Sequence, residues 1–516
     1  MKIFHAFTIV ATLLTPCLAA VEVPLGAETF VPTPEHTVGW RGDGSGRYPG
    51  ATPPQHWSRT KSGSGYETKG IVWAAPMPNK GISSPIVVGT RVFVTTEFAD
   101  LVCLDKQNGR ILWIRSNLEY DALSPEERKA LPAGAEKLEP LGKQLAELNL
   151  EATTALNAEL AAAPTTEYRV LPVIAKKRAL EKQIRDLQQS LDKKIFAGDW
   201  PQGIYGFCTE TPASDSKYVC AFFATGVSAC YDLEGNRRWI AKGPRGGEEK
   251  GHFTSPTIIG NQMIVWGDPE LRGYDLESGK VLWQAPAKGP NCSSVIHFRS
   301  GNDWVAGVQS NNFVRVRDGQ PIWKSGGLSF SFTTPIIEGD MLYFWSPGYK
   351  KEFKGYQIPA STDSGVVTAK QVFKKVEWAE NELAAKFEKG DLNASPLYVD
   401  GLIYQIYCGG GLTVQDAATG ENLYRKILPL KPRTEYWAWG GASTSPTLAG
   451  KLIYLMDNQG RTVLIEPGRE YKEVAVNVIE ELGGGNSQVQ NLATPFFEGS
   501  RMYYRSPSYV YCMGEK

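Results

Sequence analysis

Four oxygen-bearing side chains, Glu210, Asn393, Glu435 and Asn491, lie on stretches that lead into repeated Ser/Thr-Pro pairs. Carboxylate and amide oxygens are what a hard cation takes as ligands, so a calcium-type site is one chemistry these residues could support; solvated loop carboxylates are the plainer reading. In Glu435-Tyr436-Trp437-Ala438-Trp439-Gly440 two indoles flank a single alanine. That spacing suits stacking on a sugar, a quinone or a peptide, or burial beneath a neighbouring hairpin. His252 precedes Thr254-Ser255-Pro256 and is either a funnel-facing group or a hydrogen-bonded structural one. The remaining histidines after the leader, His36, His56 and His297, have no metal-ligand spacing. Asp43-Gly44-Ser45-Gly46 could wrap an ion or phosphate, but one Gly-rich turn is weak ground for a site.

The elements that must position these residues are repeats. A Ser/Thr-Pro pair, an apolar run, a Gly turn and a second apolar run recur at Ser84-Pro85, Thr211-Pro212, Ser255-Pro256, Thr334-Pro335, Ser395-Pro396, Ser445-Pro446 and Thr494-Pro495, with Ser294-Val295 as a degenerate copy. Apolar runs joined by Gly turns are hairpins. A second signature closes the units: Asp105/Gly109/Trp113, Asp232/Gly235/Trp239, Asp275/Gly279/Trp283, Gly319/Trp323 and Asp416/Gly420/Tyr424. Units of about 40 to 50 residues with four strands each, here A to D, are the pattern of a β-propeller. The last unit ends without its fourth strand, and Gly70-Ile71-Val72-Trp73 supplies one from the other end. The expected fold is therefore all-β, an eight-bladed propeller over residues 70–516 closed by its N-terminal strand, which hides two sheet edges. Trp73, Trp113, Trp239, Trp283, Trp323 and Tyr424 are expected to pack between blades, each tryptophan burying about 150–250 Å².

Composition agrees. Lys+Arg and Asp+Glu both number 55, which excludes a nucleic-acid binder driven by bulk charge. Gly 53, Pro 33, Trp 14 and Tyr 22 favour many short strands. Residues 1–20 carry Lys2, an apolar run Ala6–Leu14 and a small-residue end, as a secretory leader does. A periplasmic or secreted, monomeric chain is expected, with lipid anchoring through Cys17 the lesser reading and an extended arm over 21–69. Of the seven cysteines beyond Cys17, Cys103, Cys230 and Cys512 sit at equivalent strand-C positions and read as small core residues. Cys208, Cys220, Cys292 and Cys408 stay open, a Cys208–Cys220 bridge being one pairing.

Residues 118–198 break the repeat. Ser124-Pro125-Glu126-Glu127 is a helix start. The stripes Leu138/Leu141/Leu145/Leu148 and Leu180/Ile184/Leu187/Leu191 predict a helical hairpin whose helices pack on each other in coiled-coil fashion, or which forms a partner-binding arm. It occupies a D-to-A connection. The other long loops of this kind, 241–252, 378–393, 429–443 and 482–491, place all elaboration on one face, the expected working surface.

The unit of Ser-Pro, apolar strand, Gly turn, strand and Asp-x-x-x-Gly-x-x-x-Trp resembles the pyrroloquinoline-quinone (PQQ) type of propeller repeat over residues 70–116 and 200–516. The Trp40-Arg41-Gly42-Asp43-Gly44 arm resembles the leader of exported propellers of that family. The resemblance implies one of two roles: a quinone-dependent alcohol or sugar dehydrogenase with PQQ and calcium, or a non-catalytic scaffold such as the outer-membrane assembly propeller. The dehydrogenase branch typically stacks its quinone on a disulfide between adjacent cysteines, and this chain has no Cys-Cys pair. The expectation is a scaffold that docks a protein or cell-envelope partner through its loop face and hairpin, without nucleic acid. The quinone oxidoreductase and a carbohydrate binder using Trp437 and Trp439 are the alternatives.

Overall fold

The computed structural model describes residues 22–197, 206–245, 254–267, 269–287, 293–308, 312–324, 333–345, 352–363, 367–368, 370–376, 392–431, 441–481 and 491–515. These form eight sheets in sequence order around a ring. Blade 1 is Ile86–Val88, Arg91–Thr96, Asp100–Asp105 and Ile111–Ser116. In blade 8, Ile71–Pro76 pairs antiparallel with Tyr509–Met513, so strand D comes from the N-terminal side and closes the ring as expected.

The Ser/Thr of each signature makes a belt around the central channel. Ser84 N donates to Thr211 Oγ1, Thr211 N to Ser255 Oγ, Ser255 N to Ser294 Oγ, and Ser294 N to Thr334 Oγ1. Thr334 N continues to Ser395 Oγ and Ser395 N to Ser445 Oγ, while Thr494 N returns to Ser84 Oγ, all within 2.8–3.4 Å. Seven blades thus donate a backbone N–H to the next blade's hydroxyl. The degenerate Ser294 keeps its hydroxyl and so keeps its place in the belt. The proline that follows has no N–H to leave unpaired as strand A begins.

The Asp/Gly/Trp signature joins blades at the rim. Trp73 Nε1 donates to Lys106 O, Trp113 to Leu233 O and Trp239 to Leu276 O, the residue after the Asp of the following blade in each case. A Cβ on Gly109 would lie 2.6 Å from the Trp73 ring, and φ is +75° there, so only glycine lets the indole close on the turn. Trp283 packs on Gly319 in the same way. Trp323 is buried against Phe313, ring centroids 4.6 Å apart, and Tyr424 is half-buried.

Three expectations need correction, although every blade keeps its four strands. Two sheets gain more: Val367–Thr368 joins blade 4, and blade 7 gains Arg47–Tyr48 at its inner edge and the Ser58–Ser62/Gly65–Lys69 hairpin at its outer edge. The arm therefore behaves as strand, filling sheet edges that would otherwise be open. Elaboration is not all on one face. Arm residues bond the A–B turns, with Gly260 N to Pro34 O, Gly450 N to Tyr48 O and Gly499 N to Gly26 O, so the arm crosses the face opposite the long loops.

The helical hairpin does not pack only on itself. Helices α1 (Pro125–Ala130), α2 (Leu138–Glu159) and α3 (Pro172–Leu191) lie between blades 1 and 2 in sequence, α1 opening with a Ser124/Glu127 capping box. Leu138, Leu145, Leu180 and Ile184 meet each other, whereas Ala152, Leu156 and Ile174 join the blade core. Asn157 of α2 accepts from Ile111 N at 2.8 Å and donates to Ile111 O at 2.9 Å, completing the outer strand of blade 1. Lys177 of α3 is buried between Asp100 and Glu181, 2.6 Å from Asp100 Oδ2. Finally, Cys230 is not a free core thiol: it bridges Cys220, directly opposite it across strands B and C of blade 2, with Cα atoms 4.2 Å apart. Cys208 stays a thiol, donating to Thr96 O. Cys103 and Cys512 are buried thiols, as the repeat positions imply.

Candidate functional site

The channel mouth on the loop face is built from B–C turns and the connections that lead from D to A. Glu97, in the B–C turn of blade 1, is buried and its Oε1 accepts from Phe207 N at 2.7 Å and Cys208 N at 3.1 Å. Burial pushes its carboxyl up to about 7, with Lys80 and the two amides pulling the other way. Asp457, in the B–C turn of blade 7, accepts from Lys431 N at 2.8 Å and from Gln459 N and Arg461 N at 2.9 Å, and burial raises its pKa as well. In blade 8 the relation is reversed: Glu481 of the connection accepts from Ser508 N of the turn at 3.1 Å. Three carboxylates thus clasp turn to connection through backbone N–H groups. Arg505 is buried among them, donating to Gly81 O and Asn79 O, and desolvation lowers it to about 10.

The sequence-derived candidates divide. Glu210 is fully buried; its carbonyl accepts from Thr95 Oγ1 at 2.9 Å and its carboxylate from Thr209 N at 3.0 Å. Asn393 is half-buried with Nδ2 3.5 Å from Ser443 Oγ, and Asn491 is buried, its carbonyl accepting from Thr444 Oγ1 at 3.4 Å. All three stand one to three residues before the belt, around the same mouth. His252, Glu435, Trp437 and Trp439 lie outside the described residues. Glu97, Asp457, Glu481 and Arg505 were missed. Glu97 and Asp457 had a readable signal, an acid directly after the apolar strand B in two repeat units.

A quinone with a calcium ion would need carboxylate and amide oxygens converging at this mouth. Asn491 Oδ1 is a buried oxygen without a hydrogen-bond partner among the described residues. The described carboxylates do not complete the set, because Glu97 Oε1, both Asp457 oxygens and Glu481 Oε1 accept from backbone N–H groups, which leaves Glu481 Oε2 as a second buried oxygen without a hydrogen-bond partner among the described residues. Among the described residues no three His, Cys, Asp or Glu side chains cluster as metal ligands. The one disulfide there lies in the blade 2 core. These residues do not fit the group.

An eight-bladed ring with a hydroxyl belt and tryptophan-on-glycine joints defines a PQQ-type β-propeller. The chain belongs to the PQQ-repeat family whose sequence model is described as outer membrane protein assembly factor BamB, matched over residues 63–177 and 267–494, more than half of its length. No curated protein matches it. Among solved structures it is similar to BamB from Moraxella catarrhalis, at 14% identity and TM-score 0.40, covering 59% of this chain and 81% of that one. It is also similar to the quinohemoprotein alcohol dehydrogenase from Comamonas testosteroni, at 10% identity and TM-score 0.47 over 87% and 77% of the two chains. The computationally designed Ika8 protein matches at 8% identity and TM-score 0.49 over 85% and 98%.

Proposed function

We propose that this chain is an exported, non-catalytic scaffold of the cell envelope that docks a protein partner on its loop face. The observation that carries the reading is the use of the mouth carboxylates: Glu97, Asp457 and Glu481 each hold a turn to a connection through a backbone N–H. A catalytic mouth would keep such groups aimed at a substrate. Carboxylate clasps instead give a rigid rim, and a rigid surface loses little entropy on binding. The family description supports a partner in outer-membrane protein assembly, and the leader over residues 1–20 would bring the chain to that compartment. Among the described residues no helix is long and apolar enough to cross a membrane.

Photo-crosslinking in cells tests the reading. A crosslinking residue at exposed Gln459 or Lys431, on the loop face, is expected to capture an outer-membrane assembly protein. The same residue at exposed Thr90, on the A–B turn face, is expected not to. Capture from Thr90 alone, or equally from both faces, would overturn the assignment of the docking face.

A further inference from the structure

On the opposite side of the belt the channel widens into a cavity of about 380 Å³ between the arm and the inner strands of blades 3, 4 and 5. Its upper wall includes the belt residues Ser255, Ser294 and Thr334, and its floor is Trp40 to Ser45 of the arm. The sides include the apolar Ile258, Val295 and Phe298, and Trp304 stands beside His297 with ring centroids 5.6 Å apart.

Arg41 is the unusual member of this lining. Its side chain is 3% exposed and its Nη atoms donate to Pro396 O at 2.8 Å and Pro446 O at 2.9 Å. Nε has no hydrogen-bond partner, and among the described residues no carboxylate pairs with the guanidinium. A buried charge held only by carbonyl dipoles keeps a large desolvation cost. The neighbouring Asp43 relieves it only in part, without forming an ion pair. Arg47 is committed to Glu338 at 2.8 Å, Asp43 is exposed and accepts from Ser45 N, and Arg299, over Trp304 at 4.1 Å, is exposed and donates to Asn302 O. The cavity therefore sets a buried, unpaired guanidinium beside apolar side chains and is large enough for a small organic molecule.

We infer that this lower chamber binds an organic carboxylate with a ring-sized apolar body, the carboxylate set toward Arg41 and the ring between Trp304 and the aliphatic wall. The inference is independent of the loop-face reading, since the two sites lie on opposite sides of the belt.

Calorimetric titration with 2-naphthoate and 2-naphthamide, which share a ring system and differ in charge, tests it. The expected result is one saturable site for naphthoate, with naphthamide at least ten-fold weaker. Sulfate at equal ionic strength should compete poorly, because it lacks the body. Arg41→Gln should erase the preference for naphthoate, and Trp304→Leu should weaken both ligands alike. Equal affinity for the two naphthyl compounds, or no saturable naphthoate binding to the wild-type chain, would overturn the proposal. That comparison decides the matter even if Arg41→Gln fails to fold.

Discussion

Burial holds the Glu97 carboxyl at about 7, above its ordinary 4.5, so the folded chain binds more protons than the unfolded one between those values. Stability from this group is therefore present at low pH and falls as pH rises through that window. Glu97→Gln keeps an Oε1 acceptor for Phe207 and Cys208 but cannot ionise. Relative to the variant, the wild type should lose on the order of 3 kcal/mol between pH 4.5 and 7, read by denaturant unfolding at each pH. Glu181, also raised to about 7 by burial, titrates in both proteins and cancels in the difference. Equal pH profiles would contradict the burial of a titrating Glu97. Ser294→Ala should cost about 1–3 kcal/mol, because it leaves the buried Ser255 N–H without its acceptor. The Ser/Thr of the signature was legible as a repeat mark, but its purpose was not: a hydroxyl that serves the neighbouring blade is visible only once the blades stand in a ring. Arg41 was legible only as part of the Trp40–Gly44 arm, since nothing local says that a guanidinium will be carried into a channel formed hundreds of residues later.

At the scale of elements, the indole and the glycine of the Asp/Gly/Trp signature recur at fixed spacing, and Trp73, Trp113, Trp239 and Trp283 each pack on the next blade's glycine. Trp113→Ala should cost about 3–5 kcal/mol by leaving a hole against Gly235, whereas Leu282→Ala, exposed on an outer strand, should change stability by less than about 0.5 kcal/mol. Similar losses for both would mean that the rim joints do not hold the blades. The Cys220–Cys230 bridge escaped the sequence because the repeat made Cys230 resemble Cys103 and Cys512. What distinguished it was the residue opposite on strand B, cysteine in blade 2 and Phe93 or Tyr503 in the others. Replacing both cysteines with serine should lower stability by about 2–3 kcal/mol, the entropy of a short loop released in the unfolded chain, plus the cost of two buried hydroxyls. The hairpin stripes gave the helices but not their second contact, since Ala152 and Asn157 carry no obvious apolar period.

At the scale of the molecule, ring closure and blade count followed from the displaced Trp73 strand, while the arm's course did not, because its contacts are backbone bonds to turns. Deleting residues 22–57 should open the chamber, expose the inner edge of blade 7 and lower the melting temperature by several degrees, since 1 kcal/mol is worth roughly 2–4 °C or less in a chain this size. An unchanged melting temperature would mean that the arm does not strap the ring. On the proposed reading the loop face, with its carboxylates acting as clasps, serves docking rather than chemistry. Titration of the mature chain with pyrroloquinoline quinone and calcium, followed by tryptophan quenching and by dye reduction with alcohols and aldose sugars, tests that most directly. The predicted result is no saturable quenching and no turnover; saturable binding with dye reduction would make this propeller an oxidoreductase.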